Sequence, residues 1–228
     1  MTQKPPIDLL LTPAACDAPV ARLLLAHGAG APMTSPFLED MARLLAERCI
    51  ETARFEFPYM AERRTGGKRR PPPKAETLMP SFETAVSDYR RSWSGPDVPL
   101  LIGGKSMGGR VATLVAEGFY RDGVIAAVVA LGYPFHPPKS PDRLRTAHLA
   151  AMTCPLLVVQ GERDPFGRLC EVQGYRLPAA VTVRWITDGD HDLRPRVAHG
   201  VTWRHNLESA ADSVASFARS SGRQIRSA

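Results

Sequence analysis

The chain has 228 residues, 44% of them hydrophobic and 23% charged. That length suits one domain with a sizeable buried core, and the balance excludes a disordered or fibrous chain. The longest uncharged apolar run, residues 124–135, falls short of the roughly 20 residues that a membrane-spanning helix needs, so no membrane partner is expected. The formal charge of +6 is concentrated in residues 63–74, which hold six basic residues and no acidic one. Such a segment predicts a local positive field, not the basic face of a nucleic-acid-binding protein.

At the start of the chain, Lys4 alone precedes an apolar stretch broken by Asp8 and Pro13. That is a poor signal peptide, so a cytoplasmic location is expected. Cys16, Cys49, Cys154 and Cys170 are widely separated and form no Cys-x-x-Cys pair. The spacing predicts free structural thiols and neither a zinc site nor a redox dithiol.

In chain order, residues 20–26 read as a strand, followed by a helix over 36–49 with Phe37, Leu38, Met41, Leu44 and Leu45 on one face. A strand over 53–57 precedes the basic segment 63–74, whose Gly66-Gly67 and Pro71-Pro72-Pro73 predict a loop. A helix over 76–93 carries Leu78, Phe82, Ala85, Val86 and Tyr89 inward and ends before Pro96. Further strands are predicted at 98–103, 124–131, 155–160 and 181–187, with helices at 107–120, near 166–175 and at 201–220. Strands alternating with helices predict an α/β fold, a mostly parallel sheet covered on both faces, with ligands at the carboxyl ends of the strands. A single domain over 1–228 is expected, with its core at about 20–218 and a polar tail at 219–228.

Gly104-Lys105-Ser106-Met107-Gly108 lies between a predicted strand and helix, the context in which Gly-x-Ser-x-Gly makes a nucleophile elbow. The flanking glycines leave room for a sharp turn that forces the serine into a strained conformation. Gly104-Lys105-Ser106 also matches the tail of a phosphate loop, but the first glycine of that motif would fall on Pro99. A serine becomes a useful nucleophile when a histidine takes its proton and an acid orients that histidine. Asp164 follows the strand at 155–160 and His191 the strand at 181–187, in the order Ser, Asp, His.

His191 could otherwise be a solvated turn residue among Asp188, Asp190 and Asp192, while His136, His148, His199 and His205 read as surface or packing residues. Two backbone N–H groups are wanted for the transition-state oxyanion. Met107, after the nucleophile, and Ala29, in His27-Gly28-Ala29-Gly30 after the first strand, are the candidates. His27 is assigned a structural role in that loop.

With these pieces in order, the sequence resembles the α/β-hydrolase superfamily, specifically its compact dienelactone-hydrolase-like members. The likeness runs from about residue 22 to 217 and rests on four segments. These are His-Gly-Ala-Gly at 27–30, Gly-Lys-Ser-Met-Gly-Gly at 104–109, Gly-x-Arg-Asp-Pro-Phe-Gly at 161–167 and Gly-Asp-His at 189–191. The resemblance implies Ser106 as nucleophile, Asp164 as acid and His191 as base. It also extends to the hydrolase-like domain of a chromatin-complex scaffold and its testis-expressed relatives. The nucleophile is serine where dienelactone hydrolases have cysteine.

Residues 132–153, about 22 in number, are too few for a large cap domain, so an open site is expected. This stretch should wall the site, with Tyr133 and Phe135 as apolar lining, and the basic loop should overhang it with Arg69 and Arg70 facing an anionic substrate. The expected activity is cleavage of a small-molecule ester or thioester through an acyl-enzyme, without metal or organic cofactor. The alternative is an interaction domain that keeps the fold and an idle triad.

Overall fold

A computed structural model describes residues 7–68, 71–93 and 96–226, with backbone alone for 223–226. Seven strands form one sheet: β1 (Leu9–Thr12), β2 (Ala21–Ala26), β3 (Ile50–Phe55), β4 (Leu100–Lys105), β5 (Ala127–Leu131), β6 (Leu156–Gly161) and β7 (Val181–Ile186). Their spatial order is β1-β3-β2-β4-β5-β6-β7, and β1 alone is antiparallel to its neighbour. Among the described residues six α-helices accompany them: α1 (Pro36–Ala46), α2 (Pro58–Arg64), α3 (Met79–Ser92), α4 (Met107–Arg121), α5 (Leu169–Val172) and α6 (Trp203–Arg226). No helix among the described residues is long and apolar enough to cross a membrane.

Period-two alternation divides the central strands between two cores. Leu24 and Ala26 of β2, with Val128 and Ala130 of β5, face α3 and α4. Leu23 and Leu25, with Val129 and Leu131, face α1 and α6. Each fully buried Leu or Val contributes about 1.5–3 kcal/mol, and coverage on both faces explains why these strands read as unbroken apolar runs. On α1 the five residues assigned inward, Phe37, Leu38, Met41, Leu44 and Leu45, are all buried.

Three sequence expectations are corrected. The basic segment is not loop throughout, because Arg63 and Arg64 complete the last turn of α2. Arg64 pairs there with Glu56 and Asp8, and Arg63 lies over the Tyr59 ring at 5.3 Å. β1 had no counterpart in the sequence reading; four residues are too few to display a period. Cys16 and Cys49, expected as free thiols, form a disulfide with their Cα atoms 5.7 Å apart, whereas Cys154 and Cys170 are free. Their 33-residue separation hid the proximity. It arises because the segment before β2 runs beside the α1–β3 turn, Ala15 N–H donating to Ala46 O and Val20 N–H to Cys49 O.

Candidate active site

The strand order reverses between β2 and β4, whose following helices α1 and α4 cover opposite faces of the sheet. A crevice opens outside the carboxyl ends of the strands at such a point. The loop after Ala26 and the turn after Lys105 meet there, since Ala26 is paired with Gly104 in the ladder. Ser106 occupies that turn at φ 52°, ψ −114°, a strained conformation for a residue with a side chain. Its N–H donates to Leu131 O at 2.9 Å, and its carbonyl accepts from Arg110 N at 3.1 Å.

The flanking glycines are sterically required. A Cβ on Gly104 would lie 2.5 Å from Ala26 O, and one on Gly108 would lie 2.6 Å from the carbonyl oxygens of both Ala26 and His27. On the β2 side, His27 braces the loop. Phe57 N–H donates to its Nε2 at 3.1 Å, which leaves Nδ1 to donate to Gly28 O, and burial pushes its pKa below the usual value. Ala29 and Met107 line one cavity together with Ser106. Among the described residues neither of their N–H groups donates a hydrogen bond.

Asp164 is fully buried just beyond β6 and His191 lies just beyond β7. His191 Nδ1 and Asp164 Oδ2 are 2.8 Å apart, and the imidazole packs on Phe166 with centroids at 4.4 Å. The three neighbouring aspartates are engaged elsewhere. Asp188 binds Arg196 and Arg163, and the Arg196 hydrogen bonds above all hold its carboxyl down to about 2. Asp190 accepts from the Asp192 and Arg194 N–H groups, and Asp192 pairs with Lys105. His191 is therefore not a solvated turn histidine.

Two cavities adjoin Ser106. One, of about 400 Å³, contains His191 and has walls that include Phe37, Pro36 and Trp203. The other, of about 760 Å³, contains Ala29 and Met107 but not His191, and its outer wall includes Pro72, Lys74 and residues 142–145. Tyr133 and Phe135, expected as lining, are instead fully buried and packed on each other at 4.9 Å. The wall is made by their neighbours Pro134 and Pro137. The segment bends back on itself, Phe135 N–H donating to Tyr133 O at 3.0 Å, and both large aromatics turn into the core. Arg69 and Arg70 lie outside the described residues. No group of three or more His, Cys, Asp or Glu side chains placed to hold a metal occurs among the described residues.

Sequence reasoning missed two side chains that fix the acid and the base. Gln160, the one polar residue among apolar partners in Leu156–Gln160, sits buried beneath Asp164. Its amide donates to Asp164 Oδ2 at 3.0 Å and to Gly167 O at 3.2 Å, while its oxygen accepts from Tyr133 N–H at 2.8 Å. Lys105, inside the elbow motif, reaches across to donate to His191 O at 2.6 Å. Its ammonium is buried, which lowers its pKa, and Asp192 at 3.3 Å offsets part of that cost. A polar residue interrupting an apolar strand next to the site was the available signal for Gln160; nothing local marks Lys105.

Sheet order, elbow and the strand-end position of the histidine and its carboxylate partner define the α/β-hydrolase class of protein. Residues 19–219 match the alpha/beta hydrolase domain family model, and the chain belongs to that family. Solved structures share the fold at low identity. An α/β serine hydrolase without a lid from Xanthomonas campestris is 18% identical with a TM-score of 0.67, over 91% of this chain and 89% of that one. Est1E from Butyrivibrio proteoclasticus is 16% identical with a TM-score of 0.65, over 94% and 97%. A dienelactone hydrolase from Anabaena variabilis is 20% identical with a TM-score of 0.63, over 91% and 88%.

Proposed function

We propose that the chain is a serine hydrolase that cleaves small-molecule esters or thioesters through an acyl-enzyme. The observation that carries this reading is the pairing of His191 with a fully buried Asp164 at 2.8 Å, in a cavity that His191 shares with Ser106. Asp164 fixes the imidazole with its proton on Nδ1, leaving Nε2 as the base. His191 takes the Ser106 proton as the Oγ attacks the substrate carbonyl, then gives it to the leaving oxygen or sulfur. Water reverses the sequence and releases the acid.

The Ala29 and Met107 N–H groups receive the oxyanion, each such donor contributing on the order of 10²–10³ in rate. Met107 is also the first residue of α4, where the helix leaves N–H groups unpaired and its dipole favours negative charge. The test is hydrolysis of short-chain esters and thioesters by wild type, Ser106→Ala and Asp164→Asn. Wild-type turnover that falls by about 10⁴-fold in each variant is expected. Turnover by Ser106→Ala equal to wild type would remove Ser106 as the nucleophile, and no turnover by folded wild type would leave the interaction-domain alternative.

A further inference from the structure

The larger cavity beside Ser106 is a cationic chamber. Lys74, Arg110, Arg143 and Arg145 line it, against the carboxylates of Glu76 and Asp142. Glu76 pairs with Arg110, but among the described residues neither Lys74, Arg143 nor Arg145 has a carboxylate within ion-pair distance. The Arg110 Nε is buried with no hydrogen-bond partner, an orphan donor whose burial is unfavourable. Arg145 is held at a fixed place in the wall. Its N–H donates to Phe135 O at 2.7 Å, and its carbonyl accepts from the buried Tyr133 hydroxyl at 2.9 Å. Burial first, then the nearby Arg110 and Arg143 guanidiniums, lower its pKa, and Tyr133 and Glu76 offset only part of this.

His191 divides the substrate. As the group that protonates the leaving oxygen it must lie on the leaving-group side, and it lines the smaller cavity, where Pro36, Phe37, Phe166 and Trp203 supply apolar surface, Lys105 pairs with Asp192 and Arg194 stacks on Trp203. The cationic chamber, the other cavity at Ser106, is lined by Met107 and not by His191, which leaves it for the acyl group. We propose that this chamber holds a free carboxylate on the acyl group, so that the preferred substrates are half-esters of dicarboxylic acids with an apolar alcohol. Arg143 and Arg145 are the specificity-determining residues, with Arg110 as the third donor. This inference rests on the acyl-enzyme reading.

In the balanced reaction, Ser106 Oγ bonds to the acyl carbon as the bond to the alcohol oxygen breaks, and the serine proton passes through His191 to the alcohol. Water then cleaves the Ser106 ester and frees the dicarboxylate. A guanidinium pair on a carboxylate is a charge-assisted, bidentate contact, and its loss is read directly as selectivity.

The test compares three esters by released alcohol: monobenzyl glutarate, the neutral benzyl pentanoate, and 4-carboxybenzyl pentanoate, which carries its charge on the leaving group. Wild type is expected to favour monobenzyl glutarate over benzyl pentanoate at least tenfold in kcat/KM. The double variant Arg143→Gln/Arg145→Gln, checked for folding by its melting temperature, loses at least tenfold of that preference, and Arg145→Lys in the wild-type background keeps part of it. Turnover of benzyl pentanoate with no preference for the glutarate would overturn the inference and leave the serine-hydrolase reading standing. A preference for 4-carboxybenzyl pentanoate would overturn the assignment of the chamber to the acyl side. No turnover of any ester, with no capture of Ser106 by a fluorophosphonate, would remove both.

Discussion

Gln160 shows how one buried amide serves packing and chemistry together. It satisfies Tyr133 N–H and holds the Asp164 oxygen that faces His191. Gln160→Leu is therefore expected to lose roughly 1–3 kcal/mol of stability, the cost of leaving a buried donor unpaired. It should also lower kcat for ester hydrolysis about tenfold with little change in KM, measured by urea titration and steady-state kinetics. His148 gives a second expectation at this scale. Burial first, then Arg110, lowers its pKa to about 4, and its ring contacts Thr113 Oγ1 at 2.9 Å. The unfolded chain holds this proton near pH 6.5, so it binds more protons than the folded chain between about 4 and 6.5. The His148 contribution is thus complete above pH 6.5 and lost as the pH falls toward 4. His148→Gln should flatten that part of the stability profile, followed by the urea midpoint at pH 7, 5 and 4.

Among the elements, β4 and α4 are joined by a turn in which no residue but glycine fits at 104 or 108. Gly108→Ala drives a methyl into two backbone carbonyls that belong to β2 and its loop. It should destabilise by about 3 kcal/mol or more, at the upper end of overpacking, with the loss read in the urea midpoint. The parallel strands and α1, α3, α4 and α6 were legible because their apolar periods are long and regular. Other elements were not. α2 was missed because Arg63 and Arg64 end a helix begun at Pro58, and their charge reads as loop. The aromatic pair Tyr133 and Phe135 was assigned to the site wall because position after a strand does not tell which face each residue takes.

Across the whole molecule, the strand-end positions of Ser106, Asp164 and His191 were legible because an α/β sheet delivers strand ends to one rim, where Asp164 pairs with His191 and His191 shares a cavity with Ser106. The brace from Lys105, and the cationic chamber that brings Lys74 beside Arg145, depend on contacts between residues far apart in the chain, 86 apart for Lys105 and His191, that no local pattern encodes. The Cys16–Cys49 link is of the same long-range kind and fastens the N-terminal segment to the α1–β3 turn. Closing a loop of this size contributes roughly 3–4 kcal/mol in the chain-entropy account. Cys16→Ser should therefore lower the melting temperature of oxidised protein, and a reducing agent should lower that of wild type by a similar amount.

The most direct measurement is covalent capture by a fluorophosphonate, located by peptide mass mapping, in wild type, Ser106→Ala and His191→Ala. An adduct on Ser106 in wild type, absent from Ser106→Ala and strongly slowed in His191→Ala, is the predicted result. Folded wild type that takes no adduct, or takes it at another residue, would contradict an activated Ser106 and the hydrolase mechanism built on it.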